Sequence, residues 1–371
     1  MHRSIAMTPG SLFEWIAHEQ KGCEATRYRA LMSKIYKWEC SQLSSQFVKF
    51  NFSLVRLLGQ TQPNVETNQF NVKKHFLVFA ILAFGLVAQS SLQAQNRLDA
   101  EFMLEDLRKL SHNAAEGRKT GTKGAEAARR FIIRQFKDMK AKSLVKGYRH
   151  PFTFQNNEGD TIQGVNVVSY IRGQEQTAFV ITAHYDHLGK VGDKIFNGAD
   201  DNASGVAALM AMAEYFKNNR PRHTMVFAAL DAEEMGLRGA RAFVEDENIP
   251  MDLVVLNINM DMISINDKNE LYVAGTHHYP KYKPILEKIQ VAPLKLKFGH
   301  DSPDLGSNDW TNSSDHAAFH AKGIPFLYFG VEDHEHYHKE TDTFENINQK
   351  FYLKSTEAIL ECILALDRAL N

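Results

Sequence analysis

Residues 178–216 read AFVITAHYDHLGKVGDKIFNGADDNASGVAALMAMAEYF, and this stretch decides the fold. Ala178–Ala183 is a short, unbroken apolar run with the character of a strand covered on both faces. Ala203–Phe216 carries apolar residues at helical spacing, and a glycine- and aspartate-bearing loop joins the two. The pattern recurs outward. Strand-like runs stand at Gln163–Ile171, Thr224–Leu230, Leu253–Asn259 and Pro325–Phe329, and helical patterns at Ala100–Leu110, Lys123–Lys140, Leu237–Glu245, Lys283–Ile289, Ser314–Lys322 and Phe351–Leu370. Such alternation predicts an α/β fold, a three-layer sandwich with a mostly parallel central sheet flanked by helices, without an internal repeat or a second domain. In sheets of this kind the chemistry lies beyond the carboxyl ends of the strands.

Composition supports a globular protein. The 371 residues are 44% apolar and 23% charged with a net charge of −1, and the 10 prolines and 22 glycines are too few for a fibrous or low-complexity chain. Cys23, Cys40 and Cys362 lie far apart, so neither a disulfide framework nor a cysteine zinc site is indicated. The sixteen histidines are many for this length.

The one long apolar run is Phe76–Ala88, 13 residues preceded by Lys73-Lys74-His75 and followed by QSSLQAQ. As a helix it rises roughly 20 Å, against roughly 30 Å of hydrocarbon, so residues 72–94 read as a secretory signal peptide rather than a membrane span. Cleavage is expected after Ser90 or Ala94, delivering the protein to the periplasm or the medium. Residues 1–71 read poorly as a domain and are expected to be an upstream extension, with initiation at Val72. Residues 95–371 then form a single catalytic domain. The ten basic and five acidic residues of segment 1–74 leave 33 basic against 39 acidic in the remainder, net −6. That charge disfavours a nucleic-acid partner, and the lack of a second apolar segment disfavours a membrane partner after signal cleavage.

Polar chemistry gathers at the strand exits. His184-Tyr185-Asp186 follows the 178–183 run, and Asp200-Asp201 opens the next helix. Asp231-Ala232-Glu233-Glu234 follows Leu230, Asp261 follows Met260, and His334 to His338 follow the last strand. Carboxylates and imidazoles emerging repeatedly at one sheet edge need a cation to gather them, and oxygen and nitrogen donors without thiolate suit zinc or a similar divalent ion. In that order they supply two metals with one imidazole and one terminal carboxylate each, plus a bridging carboxylate.

The segments AHYDHLG, NGADDNASG, DAEEMGLRGA, NMDM, SSDHAAFHAKGIP and YHKETDT, together with GRKTGTKG and GVNVVSYIRG, resemble those of the co-catalytic di-zinc aminopeptidases, metallopeptidase family twenty-eight, from about Ala100 to the C-terminus. The resemblance implies two zinc ions, one held by His184 and Asp261, the other by Glu234 and His338, with Asp201 bridging. It implies Asp186 fixing the tautomer of His184, Glu233 as general base, and Tyr337 as a hydrogen-bond donor to the oxyanion. The implied reaction is hydrolysis of N-terminal residues from peptides with a free N-terminus by a metal-bound hydroxide.

Rival readings are a glutaminyl-peptide cyclase of the same fold working with one zinc, the carboxypeptidase and deacylase relatives, and a non-catalytic secreted binding domain. The intact ligand set and the short 76-residue span between Asp261 and His338 favour the aminopeptidase. His277, His278 and His300 are expected to be surface or capping groups, and His334 and His336 solvated bystanders. Asp315-His316 is expected to be structural. Trp310 is expected in loop packing, with a pocket wall as the alternative. Oligomeric state and preferred residue are not legible.

Overall fold

The computed structural model describes residues 97–370. The expected signal peptide at 72–94 and the extension at 1–71 lie outside them. The chain begins with α1 (Ala100–Leu110) and α2 (Lys123–Asp138), each capped by a side-chain oxygen: Asp99 accepts from the Phe102 amide and Thr122 from the Ala125 amide. Two edge strands follow, β1 (Lys142–Ser143) and β2 (Arg149–Gln155), then β3 (Thr161–Ile171) and β4 (Ala178–His184). A short hairpin, β5 (Gly189–Val191) and β6 (Lys194–Phe196), leads into α3 (Gly205–Asn218). Then come β7 (Thr224–Leu230), α4 (Arg238–Glu245), β8 (Val254–Met260), β9 (Glu270–Ala274), α5 (Lys283–Leu286), β10 (Lys295–Phe298), α6 (His316–Ala321), β11 (Phe326–Gly330) and α7 (Gln349–Ala369).

Nine of these strands form one sheet in the order β1-β3-β7-β4-β8-β11-β9-β10, with β2 also paired to β3. The centre, β7-β4-β8-β11, is parallel throughout. The flanks turn the sheet mixed, since β3 runs antiparallel to β7 and β9 antiparallel to β11. All five predicted strands and all seven predicted helices are present within a few residues. The additional strands are the edge strands β1, β2 and β10, the β5–β6 hairpin, and β9, a five-residue strand between β11 and β10; each is too short or too exposed to give a continuous apolar signal.

Alternate residues of the central strands feed two cores. Phe179, Ile181 and Ala183 of β4, with Met225 and Phe227 of β7 and Ile258 and Met260 of β8, pack under α1, α2, α3 and α7. Val180, Val226, Ala228 and Leu230 pack on the opposite face against Ala240 and Phe243 of α4 and Phe319 of α6. This is the three-layer sandwich, and burial on both faces explains why these strands read as unbroken apolar runs. No helix among the described residues is long and apolar enough to cross a membrane.

Candidate metal centre

Because β4, β7, β8 and β11 are adjacent and parallel, the segments after their last residues meet at one edge. His184 pairs in register with Leu230 and Met260 with Phe329, so residues 184–187, 231–234, 261 and 331–342 emerge side by side. The loop before α3 closes over them. It does so through Gly205, where a Cβ would lie 2.6 Å from the Met260 carbonyl oxygen and 2.4 Å from Asn202 Oδ1. Asn202 completes the lock, donating to Met260 O at 2.9 Å and accepting from the Gly205 amide at 3.0 Å.

The buried imidazole of His184 presents Nε2 to Asp261 Oδ1 at 3.2 Å and to Asp201 Oδ1 at 3.3 Å. The other oxygen of Asp201 faces His338 Nε2 at 3.2 Å, and His338 Nε2 lies 3.5 Å from Glu234 Oε2. Asp201 thus stands between two donor groups, one oxygen to each. The structure brings all five sequence-assigned ligands together, and it adds His187, whose Nδ1 is 2.7 Å from Glu234 Oε1. His184, Asp201 and Asp261, and separately His187, Asp201 and Glu234, are spaced to hold an ion.

The electrostatics say the same. Burial raises the Glu233 carboxyl well above the usual range; His184 opposes this, while Asp261, Asp315 and Glu234 add to it. Asp201 is equally buried, yet the imidazoles of His187, His184 and His338 hold it well below that range. Carboxylates and neutral imidazoles at this spacing, without thiolate, fit a divalent cation of the zinc type. Glu233 is itself mostly buried and adjoins this cluster.

Asp186 works differently from the sequence expectation. His184 Nδ1 lies 3.1 Å from the backbone carbonyl of Asp186 and 3.6 Å from its Oδ1. The carboxylate is engaged elsewhere, accepting from the amides of Glu233 at 3.1 Å and Glu234 at 3.3 Å. The backbone oxygen is therefore the acceptor that fixes the His184 tautomer, and the side chain orients the Glu-Glu turn. Tyr337 is half-buried with its ring stacked on His338 at 3.9 Å between centroids. Burial, then the carboxylates of Asp201 and Asp261, push its hydroxyl up.

Four further groups escaped sequence reasoning. Ser314 donates to Asp261 Oδ2 at 2.7 Å and accepts from Asn259 Nδ2 at 2.9 Å. Asp342 accepts from the amides of Asp200 and Asp201 at 2.8 and 3.0 Å. Arg118, fully buried, donates to the carbonyls of Tyr185 (2.7 Å), Leu110 (2.9 Å), Asn197 (2.5 Å) and Gly198 (2.8 Å). His334 is not a solvated bystander: its Nε2 lies 2.8 Å from Asp200 Oδ2, which explains its burial. His336, by contrast, meets Thr341 in an exposed contact. His316 is buried against the Trp310 carbonyl, and His300 stacks on Trp310 at 3.7 Å. Trp310 thus packs within its loop as expected. Asp315 is buried with both carboxylate oxygens unpartnered among the described residues, and burial raises it to about 8.

Comparison with known proteins agrees with this geometry. Aminopeptidase YwaD of Bacillus subtilis is 30% identical over 206 residues, covering 53% of this chain and 42% of that one. The chain thus spans less than half of that relative's length. In structure, the aminopeptidase from Aneurinibacillus sp. strain AM-1 superposes with a TM-score of 0.57 at 16% identity, covering 72% of this chain and 93% of that one. The glutaminyl cyclase of Porphyromonas gingivalis gives 0.59 at 15% identity, covering 72% and 98%. At such identities the two structures speak for the fold alone. The profile of peptidase family M28 matches residues 166–363, more than half of the chain and a span that includes the five sequence-assigned ligands, and the protein belongs to that family.

Proposed function

We propose that the protein is an exported zinc-dependent aminopeptidase that removes N-terminal residues from peptides, with two zinc ions at the strand-exit cluster. The observation that carries this reading is the placement of Asp201, whose Oδ1 faces the His184–Asp261 pair and whose Oδ2 faces His338 and Glu234. His184 and Asp261 would hold one ion, Glu234 and His338 the other, and Asp201 both. When bound, the ions supply Lewis acidity toward water and the scissile carbonyl.

The chain's own groups do the rest. Glu233, with its basicity raised by burial, takes a proton from the attacking water and returns it to the leaving amine. Tyr337, stacked on His338, would donate its O–H to the oxygen on which charge develops. Ser314 holds Asp261, and Asp186 holds the amides of Glu233 and Glu234, so the general base and the carboxylate ligands keep their orientation through the cycle. The basic flank and 13-residue apolar run at 76–88 support export, with residues 95–371 as the catalytic domain.

Metal analysis of the purified protein beside a panel of aminoacyl anilides tests the reading. Two zinc ions per chain and chelator-sensitive anilide hydrolysis are the expected outcome. One zinc with cyclisation of an N-terminal glutamine peptide would replace it with the cyclase reading, which the P. gingivalis structural likeness keeps specific.

A further inference from the structure

We infer that His187 is a positioning residue for the metal ligand Glu234, its Nδ1–H donating to Glu234 Oε1 and leaving Oε2 to face His338. The inference rests on the metal-centre reading above.

Spacing separates this contact from the others. His184 to Asp261 and to Asp201, and His338 to Asp201 and to Glu234, are 3.2, 3.3, 3.2 and 3.5 Å. Donors bonded to one zinc ion at about 2.0–2.1 Å in a tetrahedron stand roughly 3.3 Å apart, so those pairs leave room for an ion between them. His187 Nδ1 to Glu234 Oε1 is 2.7 Å, the length of a charge-assisted N–H···O hydrogen bond. Its distance to Asp201 Oδ2 is 3.6 Å.

The tautomer follows from burial. A carboxylate only accepts, so the proton of the neutral ring belongs on Nδ1. Nε2 is buried without a partner among the described residues and is left as a bare acceptor. Were Nδ1 instead to give its lone pair to an ion, the proton would sit on Nε2 and the 2.7 Å contact with Glu234 Oε1 would have no proton between its two atoms.

The ring is also immobile. Its side chain is fully buried, and a Cβ on Gly198 would lie 2.6 Å from both its Cγ and Cδ2. Arg118 Nη2 grips the Gly198 carbonyl at 2.8 Å. Carboxylate ligands depend on such partners for orientation, and losing one weakens metal binding about 10–100-fold.

The test uses His187→Asn, whose amide nitrogen falls near the place of Nδ1, and His187→Gln, whose amide reaches the place of Nε2. Chelator-stripped full-length protein is titrated with zinc against a chromophoric competitor, and cobalt-loaded samples are read by their visible absorption band. Wild type and His187→Asn are expected to agree within about threefold, and His187→Gln to weaken one binding step about 10–100-fold, with the cobalt band unchanged in shape. Equal affinities for all three proteins would overturn the inference. So would equal losses in both variants with an altered cobalt band, which would make His187 a ligand. A wild-type protein binding one ion would sink the two-metal reading alone, because the same variants would then be compared on that single step.

Discussion

Replacing Arg118 with Met should loosen the whole metal centre, because this one guanidinium serves four backbone carbonyls on three segments: residue 110 at the end of α1, residue 185 after β4, and residues 197–198 before Asp201. Burial lowers its pKa to about 10, against the opposing pull of Asp201 and Asp342, so it stays charged at neutral pH. Methionine fills the volume and takes the donor from the Leu110, Tyr185 and Asn197 carbonyls, while Gly198 O keeps the Ala203 amide at 3.2 Å. At the low end of about 1–3 kcal/mol for each of the three orphaned groups, with water entering to serve some of them, the loss is about 3 kcal/mol. For a domain of this size that corresponds to roughly 6–12 °C in Tm. Calorimetry with and without chelator reads the shift, and competitive zinc titration reads the effect on the loops that carry His184, His187 and Asp201. Arg118→Lys separates two explanations. An ammonium keeps the charge but cannot reach four carbonyls at once, so it should recover less than half of the loss. A Lys variant matching wild type would show that the charge alone matters and would refute the hydrogen-bonding account, as would a Met variant within about 3 °C of wild type.

Glu233→Gln should retain the wild-type metal content and lower turnover at least about 10²-fold, the scale of general-base catalysis; anilide hydrolysis with metal analysis on the same sample checks it, and retained activity removes Glu233 from the role. Ser314→Ala takes the hydroxyl from Asp261 and should weaken zinc binding about tenfold while leaving fluorescence and circular dichroism unchanged. Asp106 is buried, with both carboxylate oxygens receiving Gln135 Nε2 at 2.8 and 2.9 Å, and burial raises it to about 6. Its folded-state pKa lies above the unfolded value, so the Asp106 contribution is fully present below about pH 4, and up to about 3 kcal/mol of it is lost as pH rises through 6. Asp106→Asn should flatten that slope in thermal unfolding from pH 4 to 8, and an unchanged slope would refute the assignment.

The centre of the sheet was legible because its strands are buried on both faces and the chemistry sits at, or within four residues of, the ends of β4, β7 and β8. His184, Asp261 and the Glu233-Glu234 pair all follow directly from where the apolar runs of β4, β8 and β7 stop. The outer strands were not legible: β2 alternates exposed and buried positions with a proline at 151, and β9 and β10, the last two of the sheet, are five and four residues long. Among the site's supporting groups, Arg118, His187 and Asp342 all stood inside the quoted motifs GRKTGTKG, AHYDHLG and YHKETDT. Their roles depend on partners 80, 47 and 142 residues away, which spacing along the chain cannot give. A usable signal did exist for His187, a second imidazole three residues after the first at a strand exit.

The two doubled acids show why sequence order names a ligand less securely than it names a place. Asp200 and Asp201 are neighbours of one chemistry, yet Asp200 turns away to accept from Ser264 N and Oγ at 2.6 and 2.7 Å and to meet His334, while Asp201 turns into the imidazoles. What divides them is Asp342, which takes both of their amides and so fixes the backbone from which the side chains diverge. Asp186 does the same for Glu233 and Glu234 through its two carboxylate oxygens. In each doublet a third carboxylate holds consecutive N–H groups, and one member lies where imidazoles or an ion can neutralise it. The other is buried apart: Asp200 satisfied by hydroxyl and amide donors, Glu233 left with its basicity raised. Two side chains of identical covalent structure can therefore adjoin each other and meet different partners, because a shared anchor fixes the backbone between them.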